Sequence, residues 1–252
     1  MEKKLQPKSN ILLNGSSNKK QNQFANINSP DCSIEHQQMS HSEKLTLSAL
    51  LHQHEPVCSI VIGKDKGNIL PLIAHYSKVA FSLCRDSLIE EKFNHLKNTR
   101  FLNGPITLVL PALLQELTAN NIPVDLILIN DNYSAEEMKN NLNIILSYQP
   151  MKQLFILIHN SFNPDCRKGI QETDWKKSPF LDFVDLDFIP GRMIADESPP
   201  RKQLFGGLCL ACLSPSPQNK EVKIQTPADN MFNYLNSSEI EVPGCDYLNL
   251  IQ

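Results

Sequence analysis

The sequence has little excess charge and no apolar run long enough to cross a membrane. Its 252 residues carry a formal net charge of −3, so no global attraction to nucleic acid or to an acidic membrane surface is expected. A membrane helix needs roughly 18 to 20 consecutive apolar residues, and the runs here are far shorter. The lysines near the start precede no apolar segment, so we expect no secretory signal. These absences favour a cytoplasmic protein with neither a nucleic-acid nor a membrane partner.

The seven cysteines lack the pattern of a disulfide framework. Their number is odd and they are scattered along the chain, which is consistent with a reducing compartment. Cys209 and Cys212 have the spacing of a redox pair or of half a zinc site. Because both lie in the apolar run 208–213 and no second pair is nearby in the sequence, we interpret them as part of a strand core.

The chain divides into three parts by composition. Residues 1–40 are rich in Asn, Gln, Ser and Lys, which predicts a disordered leader. Ser40 and Glu43 are then spaced as a capping box at the start of a helix. We expect one α/β domain over 41–214 and a surface tail over 215–252, where no core pattern is evident.

Strands and helices are predicted to alternate through this domain, giving five β/α units. The apolar runs that predict the five strands are 57–62, 78–83, 100–102, 124–129 and 153–158. The segments 180–189 and 203–213 have no helical pattern between them and should pair antiparallel. The predicted fold is therefore an α/β, Rossmann-like doubly wound sheet, mostly parallel, with an antiparallel C-terminal strand pair.

Polar residues follow the fourth and fifth predicted strands where each one ends. Asn130 to Tyr133 follow the fourth strand, and His159 to Ser161 follow the fifth. Ligands of open parallel sheets bind in the crevice outside the carboxyl ends of the strands. The sequence therefore predicts a ligand site at this edge of the sheet.

Five β/α units followed by an antiparallel strand pair are typical of class I S-adenosylmethionine (SAM) dependent methyltransferases. The stretch from about Val57 to Leu213 resembles the branch with an aspartate-rich loop and a His-Ser element after strand four, and with His-Asp at the end of strand five. The matching segments are ILINDNYSAEEMKNNL, FILIHNSFNPDCRKGI and VDLDFIPG. The resemblance implies SAM as cofactor and methyl transfer to an oxygen or nitrogen of a small-molecule acceptor.

The cofactor site implied by the resemblance comprises Gly63, Asp65, Gly67, Asp86 and Asp131. Where the family carries E-x-G-x-G-x-G after its first strand, the leading acid is absent here and Asp65 replaces the middle glycine. The family also places a ribose-binding carboxylate after its second strand, where two acceptor oxygens are useful. Asp86 is the nearest acid here, and it either takes that role or only begins the next helix.

The resemblance further implies acids at four positions that are Asn130, Asn132, Asn141 and Asn160 in this chain. Mg²⁺ is usually held through carboxylates, so neutral amides make a poor metal site. We therefore expect a metal-independent reaction and no metal ligands. His159 is the candidate catalytic base, because an imidazole takes up a proton near neutral pH. The alternative is that His159 only forms hydrogen bonds to the loop backbone.

The departures from the family pattern leave a second function open, a catalytically inactive methyltransferase-like binding or scaffold module. A dinucleotide-binding dehydrogenase is disfavoured, because the loop G-x-D-x-G does not match G-x-G-x-x-G. Other charged residues are expected to be solvated. Asp185 and Asp187 lie two apart on one face of a predicted strand, and Arg167 is one of several scattered basic residues.

Overall fold

The computed structural model describes residues 38–64, 69–84, 88–131, 133–193, 204–218 and 223–225. Nearly all of the predicted leader and most of the predicted tail lie outside these residues. The helices are α1 (His41–His54), α2 (Ile69–Tyr76), α3 (Leu88–Phe93), α4 (Ile106–Ala119), α5 (Ala135–Leu146) and α6 (Pro164–Gln171), with a short 3-10 helix at Trp175–Lys177. The strands are β1 (Cys58–Ile62), β2 (Val79–Leu83), β3 (Thr99–Leu102), β4 (Leu126–Ile129), β5 (Leu154–His159), β6 (Leu181–Ile189), β7 (Arg192–Met193), β8 (Leu204–Phe205), β9 (Leu208–Leu213) and β10 (Lys223–Gln225).

Eight of these strands form one sheet in the order β10-β6-β9-β5-β4-β1-β2-β3. Strands β1 to β5 pair in parallel with one another. Strand β9 lies antiparallel to both β5 and β6. The small hairpin of β7 and β8 forms a separate two-stranded sheet. The predicted fold class, a mostly parallel doubly wound sheet with an antiparallel C-terminal pair, is confirmed.

Helices cover both faces of the sheet, which explains why the central parallel strands are mostly apolar on both of their faces. Along β1, Ile60 and Ile62 pack into one hydrophobic cluster with α4, α5 and α6. Val61 points the other way, into a second cluster with α1, α2 and α3. All five residues of β1 are buried. A strand covered on both faces buries every side chain, so its sequence is continuous rather than alternating.

Local sequence signals define where two of the helices begin. Ser40 caps α1 and Ser134 caps α5, and each forms a full capping box, with Glu43 and Glu137 respectively. In such a box the serine hydroxyl accepts from the backbone of the third helical residue, whose carboxylate accepts from the backbone of the cap. The box predicted at Ser40 is confirmed.

Cys209 and Cys212 lie in β9, where both side chains are buried thiols. They are three positions apart on a strand, so their side chains point to opposite faces of the sheet. Two thiols placed in this way form neither a disulfide with each other nor a shared metal site. The interpretation of the pair as strand core is confirmed.

Two features of the sheet differ from the expected pattern. Strand β10 lies within the stretch expected to be a surface tail, and it pairs in parallel with β6. All three of its residues are exposed, so no apolar pattern marks it. In addition, the pairing of β6 with β9 is irregular between Asp185 and Ile189.

Among the helices of the described residues, none combines the length and the apolar character that crossing a membrane requires.

Candidate functional site

The carboxyl ends of β1 and β4 meet at the point where the strand order reverses. The chain runs outward from β1 to β2 and β3, and it then returns to place β4 on the other side of β1. Gly63 follows β1, and Asn130 and Asp131 follow β4. The Asn130 N–H donates to the Ile62 carbonyl oxygen at 2.8 Å. Ligands of open α/β sheets bind at such a reversal point.

Gly63 is in direct contact with the end of β4. A Cβ atom at this position would lie 2.7 Å from the Asp131 Cβ and 2.8 Å from the Asn130 carbonyl oxygen. The φ angle of Gly63 is also +109°, in a region that side chains disfavour. The two strand ends therefore approach this closely only because residue 63 is glycine.

Asp131 is the carboxylate that the fold places at the reversal point. Its side chain is half-buried, and its Oδ2 atom accepts a hydrogen bond from the Lys64 N–H at 3.4 Å. Of the five predicted cofactor residues, the structure thus brings Gly63 and Asp131 together. The other three, Asp65, Gly67 and Asp86, lie outside the described residues.

His159 ends β5 next to this contact and is completely buried. Its Nδ1 atom lies 2.8 Å from Oδ1 of Asn130. Because an amide oxygen only accepts hydrogen bonds, Nδ1 carries the ring proton in the neutral histidine and Nε2 has the lone pair. The partner of His159 is therefore a side chain at the end of β4, rather than the loop backbone.

The Nε2 atom of His159 faces a buried carboxylate from the first helix. Glu43 Oε2 lies 3.9 Å from this nitrogen, and Glu43 is only 1% exposed. The Glu43 carboxylate accepts hydrogen bonds from the backbone N–H of Ser40 and from that of Gly207. Arg192 Nη1 lies 3.9 Å from Glu43 Oε2. Sequence reasoning identified Glu43 as a helix cap but missed these long-range contacts, since no local pattern encodes them.

Burial dominates the ionisation of His159. It lowers the pKa of the imidazole to about 4, because a charged ring would lose its hydration. The Glu43 carboxylate opposes this shift and raises the pKa, whereas Arg192 and Lys44 lower it further. At neutral pH the ring is therefore uncharged, with a lone pair on Nε2 that faces Glu43. The role of His159 as a catalytic base stays a prediction.

The asparagines that stand in place of the family's acids lie in different surroundings. Asn130 and Asn160 are buried at the ends of β4 and β5, and Asn141 is buried on α5. Asn132 lies outside the described residues. Within the described ranges, no group of three or more His, Cys, Asp or Glu side chains is arranged to hold a metal ion.

Asp187 and Arg167, which were expected to be solvated, form a buried ion pair instead. Arg167 Nη1 lies 2.7 Å from Asp187 Oδ1, and the two side chains are 4% and 1% exposed. The same Arg167 nitrogen donates to the Leu186 carbonyl oxygen at 2.9 Å. The pair fastens α6 to β6, so the expectation of solvation is wrong for both residues. Alternation along β6 could not show this, because α6 covers that face of the strand.

No protein-family model and no curated protein matches the sequence. Several solved structures are similar to it at low identity. An O-methyltransferase from Bacillus cereus in complex with SAH is 13% identical, with a TM-score of 0.49 over 73% of this chain and 92% of that one. TomG, an O-methyltransferase from Streptomyces achromogenes involved in tomaymycin synthesis and solved with SAM, is 12% identical, with a TM-score of 0.45 over 71% and 82%. The 23S rRNA methyltransferase ErmE is 9% identical, with a TM-score of 0.45 over 70% of each chain.

The strand order of the sheet describes the fold without use of the TM-scores. Five parallel strands are ordered with β1 at the centre, and an antiparallel strand is inserted beside β5. This is the arrangement that the sequence resemblance implies. The described domain therefore has a Rossmann-like fold, a mostly parallel doubly wound sheet with an antiparallel C-terminal strand pair.

Proposed function

We propose that this domain binds SAM in the crevice at the carboxyl ends of β1 and β4, and that it methylates an oxygen or nitrogen of a small molecule without a metal ion. The observation that carries the proposal is the contact between Gly63 and Asp131 at the point where the strand order reverses. The carboxylate of Asp131 and the glycine turn at Gly63 thereby lie together where this fold class binds its ligands. A cytoplasmic location is part of the proposal, supported by the scattered buried thiols.

The residues at this position fit a cationic cofactor. SAM carries a sulfonium and an ammonium group, and the half-buried Asp131 carboxylate supplies an opposite charge. Gly63 leaves the end of β1 without a side chain. Asp65, Gly67 and Asp86 would complete the site. When bound, SAM supplies an electrophilic methyl group, and the protein's main task is then to align the acceptor.

Metal independence follows from the chemistry of the side chains at the strand ends. Asn130 and Asn160 offer neutral amide oxygens, and the Asn130 oxygen is already bonded to His159. Asp131 is the single acid of the loop after β4. A hard cation such as Mg²⁺ is usually bound through one or two carboxylates together with oxygen ligands from the substrate. The proposal therefore assigns proton removal to His159 rather than to a metal-bound acceptor.

Calorimetric titration with SAM and with S-adenosylhomocysteine, each with and without Mg²⁺, tests this proposal. We expect saturable micromolar binding that does not change with Mg²⁺. Asp131→Asn should weaken binding of SAM, because it removes the charge and preserves the shape. Asp174→Asn is the matched control, since Asp174 is exposed and its side chain makes no capping hydrogen bond. Equal affinities of the two variants would contradict the assigned role of Asp131.

The second candidate function is an inactive binding or scaffold module. It is favoured by the burial of His159 behind Glu43, which keeps the lone pair of the candidate base away from the crevice. An inactive module should bind neither SAM nor S-adenosylhomocysteine at millimolar concentration. Absence of binding in the titration would therefore replace the enzymatic proposal with this one.

A further inference from the structure

Helix α1 is attached to the domain by apolar contacts, by two aromatic ring contacts and by one buried carboxylate. Leu47 and Leu51 are the buried apolar residues of the helix, and Met39 before it joins the same cluster. Glu43 is the buried charged residue of α1. Leu50 also packs against this cluster, and His52 and His54 contact the rings of Tyr76 and Phe155. The buried carboxylate of Glu43 adds the polar contacts of the attachment.

Apart from the cap hydrogen bond from Ser40, the contacts of Glu43 lead to the carboxyl edge of the sheet and its neighbouring loops. Gly207, just before β9, donates its N–H to the carboxylate, and a side chain at Gly206 would meet Oε1 at 2.9 Å. Both glycines have positive φ angles, +72° and +80°. Arg192 lies beside the carboxylate and also donates from Nη2 to the Gln38 carbonyl oxygen at 3.4 Å. The start of α1 is therefore held by contacts from Arg192 in β7 and from Gly207 in the turn before β9.

The other end of α1 is a defined turn onto the sheet. The helix ends at His54, and Glu55 adopts a left-handed conformation with φ +40°. Beyond it, Asp125 Oδ2 accepts from the Val57 N–H at 2.7 Å and from the Cys58 N–H at 3.3 Å. The chain is thus fixed again as soon as β1 begins. The Pro56 carbonyl oxygen already accepts from the Lys78 N–H at 3.0 Å. A movement of α1 would therefore pivot at Glu55 and would separate the ring of His54 from that of Phe155 on β5.

We propose that α1 is a lid, latched by Glu43, which covers His159 and must lift before the imidazole meets an acceptor. The inference rests on the proposed function in that the edge beside β5 receives the acceptor. Lifting α1 separates the Glu43 carboxylate from Gly207 and Arg192 and uncovers Nε2 of His159. Glu43 is a positioning residue in this scheme, since it contacts neither cofactor nor reacting atoms.

Acylation of histidines by diethyl pyrocarbonate, followed by peptide mass spectrometry, tests the lid directly. The reagent modifies a neutral imidazole that solvent reaches, so it reports exposure of His159 without any cofactor. His75 and His95 are exposed and serve as internal references. In the wild-type chain we expect His159 to react much more slowly than these two. Glu43→Gln should raise the His159 rate about tenfold or more, because it removes the charge that holds the latch.

Glu137→Gln is the matched control for the latch. Glu137 forms the same capping box on α5 and is exposed, so its replacement by glutamine removes the charge of a cap and affects no latch. We expect the His159 rate to stay at the wild-type value in this variant. An unchanged His159 rate in Glu43→Gln, or an equal rise in both variants, would overturn the proposal.

A urea series on the wild-type chain keeps the test valid should Glu43→Gln fail to fold. Lid opening exposes little surface, so the His159 rate should rise with urea much less steeply than the constant for global unfolding. Equal urea dependence would show that His159 is exposed only by global unfolding, and α1 would not be a lid. Neither measurement uses SAM. The acylation results therefore test the lid separately from the SAM titration, which tests the proposed function.

Discussion

The Oε2 atom of Glu43 lies 3.9 Å from the Nε2 atom of His159, so one buried polar contact joins the first helix of the domain to the end of its fifth strand. The distance is too long for a direct hydrogen bond. Arg192 and two backbone N–H groups surround the carboxylate, whereas the imidazole has Asn130 on its other nitrogen. The carboxylate is thus surrounded by hydrogen-bond donors, and burial favours the neutral form of the imidazole.

The first prediction concerns stability at acidic pH. His159 has a pKa of about 4 in the folded chain and about 6.5 when unfolded, so below pH 6.5 the unfolded state binds the proton first. Its contribution to stability is complete above pH 6.5 and is lost as the pH falls toward 4, by at most about 1.4 kcal/mol per pH unit. Urea unfolding from pH 7.5 to 4.5, followed by the fluorescence of the single, buried Trp175, measures this.

His159→Gln is the reference variant for this series of unfolding measurements. This variant has no group that titrates at position 159, so its unfolding free energy should fall less steeply with acidification than that of the wild type. The difference in unfolding free energy between the wild type and His159→Gln should therefore become smaller as the pH falls from 6.5 to 4.5. A difference that stays constant over this range would show that the folded-state pKa of His159 is not lowered.

The second prediction compares the two capping boxes. Glu43→Gln should lower the free energy of unfolding by about 2 to 4 kcal/mol, because it weakens charge-assisted hydrogen bonds in a buried setting. Glu137→Gln should cost about 1 kcal/mol or less, since that box is exposed. Chemical denaturation at pH 7 measures both values. Equal costs would mean that Gly207 and Arg192 add nothing to the cap at Glu43.

The third prediction concerns Gly63. Gly63→Ala should destabilise the domain by about 2 to 4 kcal/mol, because it combines a positive φ angle with a clash against the backbone of Asn130. Gly104→Ala is the control, as Gly104 also has a positive φ angle but its Cβ would meet only a Val109 methyl group. Thermal unfolding should show the larger loss for Gly63→Ala. The reverse order would indicate that the ends of β1 and β4 separate easily.

The fourth prediction concerns the buried pair of Arg167 and Asp187. Arg167→Met and Asp187→Leu should each cost about 3 to 5 kcal/mol, because each leaves the partner charge buried without its counter-ion. The double variant should be markedly more stable than the sum of the two losses predicts. A double-mutant cycle in urea gives the coupling energy. Additive losses would show that the two charges do not stabilise each other.

The order of the elements could be predicted from the sequence, because most strands of the five β/α units are apolar runs between polar loops. Val124 to Ile129 and Leu154 to Ile158 show this most clearly, since helices cover them on both faces. Strand β10 could not be predicted. Its three residues are exposed, and only backbone pairing with β6 identifies them as a strand.

Part of the candidate site could also be predicted from the sequence. Gly63, Asp131 and His159 follow strands directly, so their placement at one edge of the sheet follows from the fold. The burial of His159 could not be predicted, because it arises from contacts between distant segments, among them the one with Glu43. The pairing of Arg167 with Asp187 is likewise a contact between distant segments, and neither residue type suggests burial.

The irregular register of β6 has a consequence for contacts between molecules. Among the described residues, strand β10 pairs with β6 along Phe183 to Asp185. Beyond that stretch, the pairing of β6 with β9 is irregular, and the Asp187 N–H donates to Asp185 Oδ1 within the same strand. Such an irregularity bends a strand and increases its twist. A bent strand is a poor template for regular pairing with a strand of another molecule, which disfavours edge-to-edge aggregation.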